Sequence, residues 1–227
     1  MKNRVIAFLP IAAFFLFGCG HTNNLAKYNV RSQSYFYRHG VSYGAASVNA
    51  SLNSIDTSAA AQAQTSITSN ITNTQLQSKL SRAAHPDQIE SFLSRGMEDA
   101  VKTYLNATSA SSVNSAAFIV ETQLKTYQLN SSATNVSAAV SGCSRIIERK
   151  SGAVIWEDCE TKNIPLHNVQ VIGGDAAGAV ASIANAAELL AMSDEDLRQV
   201  INQAAQEAGS QLGETLREDV ANMNVKK

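Results

Sequence analysis

Residues 135–162, NVSAAVSGCSRIIERKSGAVIWEDCETK, decide the fold class of this chain. Two runs rich in β-branched and other apolar residues, Asn135 to Arg149 and Ala153 to Lys162, flank the short segment Lys150-Ser151-Gly152. A three-residue loop that ends in glycine is typical of a β-hairpin, because glycine readily takes the left-handed conformation that such a loop needs. The stretch therefore predicts two long antiparallel strands.

The register of this hairpin brings Cys143 and Cys159 together. With a three-residue loop, Arg149 lies opposite Ala153, and every opposed pair then has the same sum of residue numbers, which the two cysteines also satisfy. Directly opposed residues have Cα atoms about 4.5 Å apart in a non-hydrogen-bonded pair, which is within reach of a disulfide. We therefore predict a structural disulfide; a redox or metal-binding pair is disfavoured, since there is no Cys-x-x-Cys and no histidine at ligand spacing. The same register predicts an ion pair and two apolar pairs: Arg145 with Glu157, Ile147 with Ile155, and Ile146 with Trp156.

Segments on both sides of the hairpin have the periodicity of helices and of one more strand. Asp87 to Leu105 has apolar residues at helical spacing, with Pro86 at the entry, and Ala117 to Tyr127 alternates as a strand. Asp175 to Met192 is predicted as an Ala-rich helix capped by Asp175, and a second helix runs from Ser193 to about Val220. We expect an α+β domain over residues 85–222: a mixed or antiparallel sheet of about four strands with a C-terminal hairpin, packed by two to four helices.

Residues 28–84 are harder to assign. Tyr28 to Tyr43 is rich in aromatic and β-branched residues, which favours a strand. Gly44 to Lys79 is almost uncharged and is rich in Ser, Ala, Thr and Asn, with apolar residues at gaps of three and four. This segment is interpreted as a long helix, a helix that forms only on packing, or a partly disordered stretch. A β-hairpin is the less favoured alternative.

The N-terminus has the features of a bacterial lipoprotein signal. Lys2 and Arg4 precede an apolar run that is too short to span a bilayer, and the run ends in Leu16-Phe17-Gly18-Cys19, which resembles a lipobox. We expect cleavage after residue 18, palmitate and other lipid on Cys19, and a flexible tether over residues 19–27. Gly20 follows the cysteine where an inner-membrane lipoprotein would have Asp, so the resemblance implies the periplasmic side of the Gram-negative outer membrane.

Charge excludes one class of partner. Without residues 1–18 the chain has 16 Lys and Arg against 19 Asp and Glu, a formal net charge of −3. Such a chain has no electrostatic reason to bind nucleic acid.

Residues 85–220 resemble the small periplasmic α/β domain of envelope lipoproteins, including the curli-secretion lipoprotein and the lipoprotein activators of penicillin-binding proteins. The shared pattern is a strand ending in Tyr, a long strand, a Ser/Thr-Gly turn and an apolar-apolar-Trp start to the next strand. Here it consists of Phe118 to Tyr127, Val136 to Glu148, Lys150-Ser151-Gly152 and Val154-Ile155-Trp156. The resemblance implies a fold, and a fold alone does not define a function. The curli channel has a membrane-spanning hairpin between the first two strands, but the link here is only Gln128 to Asn135, which disfavours a pore.

No enzyme motif is found in the sequence: there is no nucleophile elbow, no metalloprotease helix and no paired-carboxylate motif. We therefore expect a non-enzymatic accessory lipoprotein, without cofactor or metal, that binds a protein partner in a secretion, cell-wall, transport or appendage assembly. One alternative is a self-assembling ring or structural lipoprotein. Another is a glycan- or lipid-binding protein. The candidate contact residues are Tyr35, Tyr37 and Trp156, although for Trp156 packing in the core or on a sheet face is the favoured interpretation.

Overall fold

The hairpin strands form the centre of the sheet in a computed structural model, which describes residues 20–40, 45–50, 59–132, 135–167 and 184–223. The strands are β1 (Thr22–Asn23), β2 (Ser34–Gly40), β3 (Ala45–Ala50), β4 (Thr108–Ser109), β5 (Phe118–Ser131), β6 (Val136–Glu148) and β7 (Val154–His167). The helices are α1 (Ala59–Ala83), α2 (Pro86–Tyr104), α3 (residues 184–191) and α4 (Asp194–Asn222), with short 3-10 turns at Leu25–Lys27 and Val113–Ser115. The chain is α+β.

The seven strands make one mixed sheet in the order β1-β7-β6-β5-β2-β4, with β3 also paired to β5. Its centre is the antiparallel set β5-β6-β7. Strands β2 and β3 run parallel to β5 and follow one another along its outer edge. Between them, a bulge at Lys125 shifts the β5–β6 register.

The expected number of about four strands is too low. Strands β1 and β4 have two polar residues each, so neither carries an alternating pattern. Strand β3 lies in the low-charge segment and has a single strand-favouring residue, Val48, among Ala, Ser and Asn. The same segment, Gly44 to Lys79, also contains most of α1, so it includes both strand and helix.

The hairpin register is as predicted at its centre and different near its turn. Cys143 lies opposite Cys159, and the two form a disulfide with Cα atoms 4.0 Å apart. Two of the predicted cross-strand pairs are also present: Arg145 with Glu157, and Ile146 with Trp156. Ile147, however, pairs with Val154 and not with Ile155, because the register shifts after Ile146. Gly152 has a φ of 71°, the left-handed conformation predicted for the loop.

Helices α2 and α4 lie side by side and cover one face of the sheet. Their crossing is tight at Gly96 and Gly209, since a Cβ added to Gly96 would lie 2.3 Å from a backbone atom of Gly209. A Cβ on Gly142 in β6 would meet the Leu93 side chain at 2.2 Å, so that side chain packs directly on the strand backbone. The main core lies between these helices and the sheet, around Leu124, Ile146 and Trp156.

Helix α3 is held by a buried lysine. The Lys79 ammonium donates to the carbonyl oxygens of Leu190 and Met192 at the end of α3, and it forms an ion pair with Asp194. Ser193 caps α4 by accepting a hydrogen bond from the backbone N–H of Asp196, at the predicted start of this helix.

Several predictions fall outside the described residues. These are the signal peptide over residues 1–18, Cys19, the Val41–Tyr43 end of the aromatic strand and the Asp175 cap. Among the helices that the structure does describe, none is long and apolar enough to cross a membrane.

Candidate functional site

The residues that directly follow Cys19 belong to the folded domain, so the flexible tether expected for residues 19–27 is wrong from His21 onward. Thr22 and Asn23 pair with Glu157 and Trp156 of β7. Sequence reasoning missed this because the contacts are mainly backbone hydrogen bonds made by polar residues, which have no pattern. The single apolar signal was Leu25, whose side chain is completely buried.

His21 joins this N-terminal strand to both the sheet and the last turns of α4. Its Nδ1 atom lies 3.5 Å from an Oδ atom of Asp158 on β7, and its Nε2 atom lies 3.0 Å from an Oδ atom of Asp219 on α4. The same Asp219 oxygen accepts a 2.8 Å hydrogen bond from the indole N–H of Trp156. We call His21, Asp158, Asp219 and Trp156 the anchor clasp.

The two carboxylates of the anchor clasp are better covered than its histidine. Both carboxylates are largely covered, with 14% of each side chain exposed, whereas His21 is 42% exposed. The imidazole therefore lies between two largely covered carboxylates, and its ring and the Trp156 indole are arranged edge to face.

The face of the sheet that is not covered by α2 and α4 carries a buried glutamate paired with two arginines. Glu121, near the start of β5, is almost fully buried between two arginines of the flanking strands. It accepts from Arg38 Nη1 at 2.5 Å and from Arg145 Nε at 2.7 Å. The predicted partner Glu157 does lie opposite Arg145 in the register, but the ion pair found for Arg145 is with Glu121. The alternation of the strands places the disulfide on this face, beside the arginines.

Two of the three predicted contact residues are core residues. Tyr35 is completely buried, stacks on Phe118 and donates from its hydroxyl to the Val30 carbonyl oxygen at 2.6 Å. Trp156 is also completely buried. Neither side chain can touch a partner in this structure, which removes most of the basis for a glycan- or lipid-binding surface. Burial also raises the pKa of Tyr35 well above its ordinary value, so its hydroxyl stays protonated.

Tyr37 lies at the edge of the sheet next to α2 and is half-buried. Its ring is covered by the Lys102 ammonium, 5.3 Å from the ring centroid, and its hydroxyl has no hydrogen-bond partner among the described residues. Burial raises the pKa of Tyr37, and the nearby Glu98 and Asp99 act in the same direction.

His39, two residues further along β2, links the strand to α2. Its Nδ1 atom lies 3.4 Å from Glu90 and its Nε2 atom lies 3.3 Å from Glu98. Burial raises the pKa of Glu90, while the contact with His39 opposes the rise. His39, Glu90 and Glu98 thus fasten β2 to α2, as the anchor clasp fastens β1 to α4 at the other edge of the sheet.

A shallow groove of about 240 Å³ lies between α2 and α4, above their glycine crossing. Thr103 and Tyr104 line one wall, and Gly213 and Glu214 line the other. Within the described residues, no three His, Cys, Asp or Glu side chains are placed to hold a metal ion.

The structure defines a class of protein. It is an α+β domain whose N-terminal residues are part of the sheet and directly follow a candidate lipidation cysteine. No protein-family model matches the chain, and no curated protein matches it in sequence.

Solved structures resemble the chain loosely. A candidate lipoprotein from Caulobacter crescentus is 14% identical, with 59% of this chain and 83% of that protein covered and a TM-score of 0.34. The PelC dodecamer from Paraburkholderia phytofirmans is 10% identical, with 85% and 96% covered and a TM-score of 0.35. A candidate homologue of neuraminyllactose-binding hemagglutinin from Helicobacter pylori is 11% identical, with 86% and 92% covered and a TM-score of 0.36. Likenesses of this level give the chain no function.

Proposed function

We propose that this chain is a non-enzymatic accessory lipoprotein of the bacterial cell envelope, anchored by lipid on Cys19 and docked on a protein partner through its α+β domain. The observation that best supports it is the start of the folded domain. Leu25 is buried, Thr22 is paired in the sheet and His21 bridges two carboxylates, all within six residues of Cys19. Lipid at that position holds the domain directly at the membrane, where it acts by position.

The proposed partner belongs to a membrane-associated assembly. The resemblance of residues 85–220 to the curli-secretion and penicillin-binding-protein-activator lipoproteins supports a partner in secretion, cell-wall synthesis, transport or appendage formation. Gly20 after the lipidated cysteine supports the outer membrane. The proposal includes no catalysis, no cofactor and no nucleic acid.

The structure offers a matched pair of substitutions for finding the partner. Thr161 and Thr103 are both exposed threonines; Thr161 is on the disulfide face of the sheet, and Thr103 is on α2 beside the groove. Thr161→Arg and Thr103→Arg therefore add the same bulk and charge on opposite sides of the domain. Neither change disturbs the buried core.

The experiment is affinity purification of the lipidated protein from detergent-solubilised envelopes, after crosslinking in cells. We expect wild type to recover a second protein in stoichiometric amount, and one of the two variants to lose it while the other keeps it. Recovery of wild type as a solitary monomer contradicts the proposal. A discrete high-mass assembly that contains this chain alone favours the ring alternative.

A further inference from the structure

The anchor clasp has a geometric consequence for any lipid attached at Cys19. Only Gly20 lies between that residue and His21, and consecutive Cα atoms are 3.8 Å apart, so the Cys19 Cα lies within about 8 Å of the His21 Cα. His21 is in turn fastened to β7 through Asp158 and to α4 through Asp219. Only one residue, Gly20, therefore separates the lipidated cysteine from the anchor clasp, which limits how far the domain can move from its lipid.

We infer that the clasp is a rigid mount, which sets the edge formed by β1, β7 and the C-terminal end of α4 against the headgroup surface of the bilayer. The partner of this surface is lipid, and the inference rests on the proposed lipidation of Cys19. It adds an orientation: the β2 and β4 edge, which carries Tyr37 and His39, is at the far side of the sheet and faces away from the membrane.

Three independent contacts support a mount of this kind. The backbone of Asn24 donates to the Ile155 carbonyl oxygen at 2.8 Å, so the strand pairing continues past β1. Leu25 fills the core directly behind it. The side chain of His21 then reaches two separate elements, which resists rotation of the N-terminal strand about its own axis. A signal for attachment alone would require none of these contacts.

The chain contains its own reporter for this orientation. Trp156 is its only tryptophan, and the Trp156 and His21 ring centroids are 6.3 Å apart. Energy transfer from Trp156 to a dansyl group on lipid headgroups therefore measures how close the clasp is to the bilayer. The full lipidated protein is reconstituted in vesicles of phosphatidylethanolamine and phosphatidylglycerol that contain a small fraction of dansyl-phosphatidylethanolamine.

Two variants should loosen the mount, and a third variant is their matched control. A Gly-Ser insert of about 12 residues between Gly20 and His21 allows a separation of about 20 Å between lipid and domain. His21→Ala keeps the chain length but removes the side-chain bridge. The same insert between Ala110 and Ser111, in an exposed loop after β4, is the matched control.

We expect strong transfer for wild type and for the loop-insert control, at least a twofold loss for the insert after Gly20, and a smaller loss for His21→Ala. An unchanged Trp156 emission maximum shows that each variant has folded. Equal transfer in wild type and in the variant with the insert after Gly20 overturns the mount. Vesicle flotation separates the two proposals. If wild type does not float with the lipid, the proposed lipid anchor is rejected. If wild type floats but the insert after Gly20 leaves energy transfer unchanged, the anchor stands and only the rigid mount is rejected.

Discussion

His21 Nε2 and an Oδ atom of Asp219 lie 3.0 Å apart, so a residue two positions after Cys19 is joined to the end of the last helix. The same carboxylate accepts the indole N–H of the buried Trp156. One side chain therefore fastens the N-terminal strand, the central hairpin and α4 together.

Removing that acceptor should destabilise the fold. We expect Asp219→Ala to lower the free energy of unfolding by about 1–3 kcal/mol, because it leaves the Trp156 indole N–H buried without an acceptor. Asp219→Asn keeps an oxygen for the indole and loses only the charge facing His21, so its loss should be below about 1 kcal/mol. Urea unfolding followed by Trp156 fluorescence measures both. Equal midpoints for Asp219→Ala and wild type would contradict this role.

The disulfide should stabilise the hairpin. Cys143 and Cys159 are 16 residues apart. A crosslink over a loop of that length raises the free energy of the unfolded chain by about 3 kcal/mol, because it restricts the conformations of that chain. We expect a reducing agent to lower the unfolding midpoint of wild type to that of the double variant Cys143→Ala/Cys159→Ala. The double variant is the control, since its own midpoint should not respond to the reductant. A wild-type midpoint that does not move under full reduction would show that the crosslink adds nothing.

The crossing of α2 and α4 should not accept a methyl group. A Cβ on Gly209 would lie 2.2 Å from the Leu93 carbonyl oxygen, a backbone atom that cannot move away. We expect Gly209→Ala to lose about 1–3 kcal/mol, although alanine in a helix interior normally gains about 1 kcal/mol over glycine. Gly40→Ala is the matched control, because its nearest neighbour is 3.8 Å away, and it should stay within about 0.5 kcal/mol of wild type. If both variants unfold alike, the helices do not meet at their backbones.

The pH dependence of stability should reflect Glu90. Burial raises the pKa of this carboxyl in the folded protein, so the folded state holds the proton more tightly than the unfolded chain. Its contribution is complete below the unfolded pKa of about 4.3 and is lost as pH rises through the raised folded pKa. Glu90→Gln cannot ionise, so we expect it to lose less stability than wild type over this window. Denaturant unfolding at several pH values measures the slopes, and Glu195→Gln, at an exposed site, should follow wild type. Parallel curves for Glu90→Gln and wild type would contradict the assignment.

The centre of the sheet was predictable because its pairs are side-chain pairs. A turn with a terminal glycine set the register, and opposed cysteines, opposed charges and an apolar pair were consistent with it. The error at Ile147 came from assuming an unbroken ladder, since no residue in the sequence marks the shift after Ile146. The bulge at Lys125 was missed for the same reason.

The edges and the site were less predictable. Strands β1 and β4 are held by backbone hydrogen bonds, which any residue can make, so short polar segments carry no signal for them. Tyr35 and Trp156 were candidate contact residues, with packing the favoured interpretation for Trp156, and both bury their rings and hydrogen-bond their polar atoms internally. The anchor clasp joins residues almost two hundred positions apart, and a single sequence gives no sign of such a contact.

Lipid attachment at Cys19 is the claim on which the account depends most directly. The measurement is incorporation of labelled palmitate into the protein in growing cells, compared between wild type and Cys19→Ser, with membrane and soluble fractions separated. We predict that wild type carries the label in the membrane fraction, and that Cys19→Ser carries none and moves to the soluble fraction. Unlabelled wild type, or a Cys19→Ser variant that keeps the label and the membrane, would contradict the account.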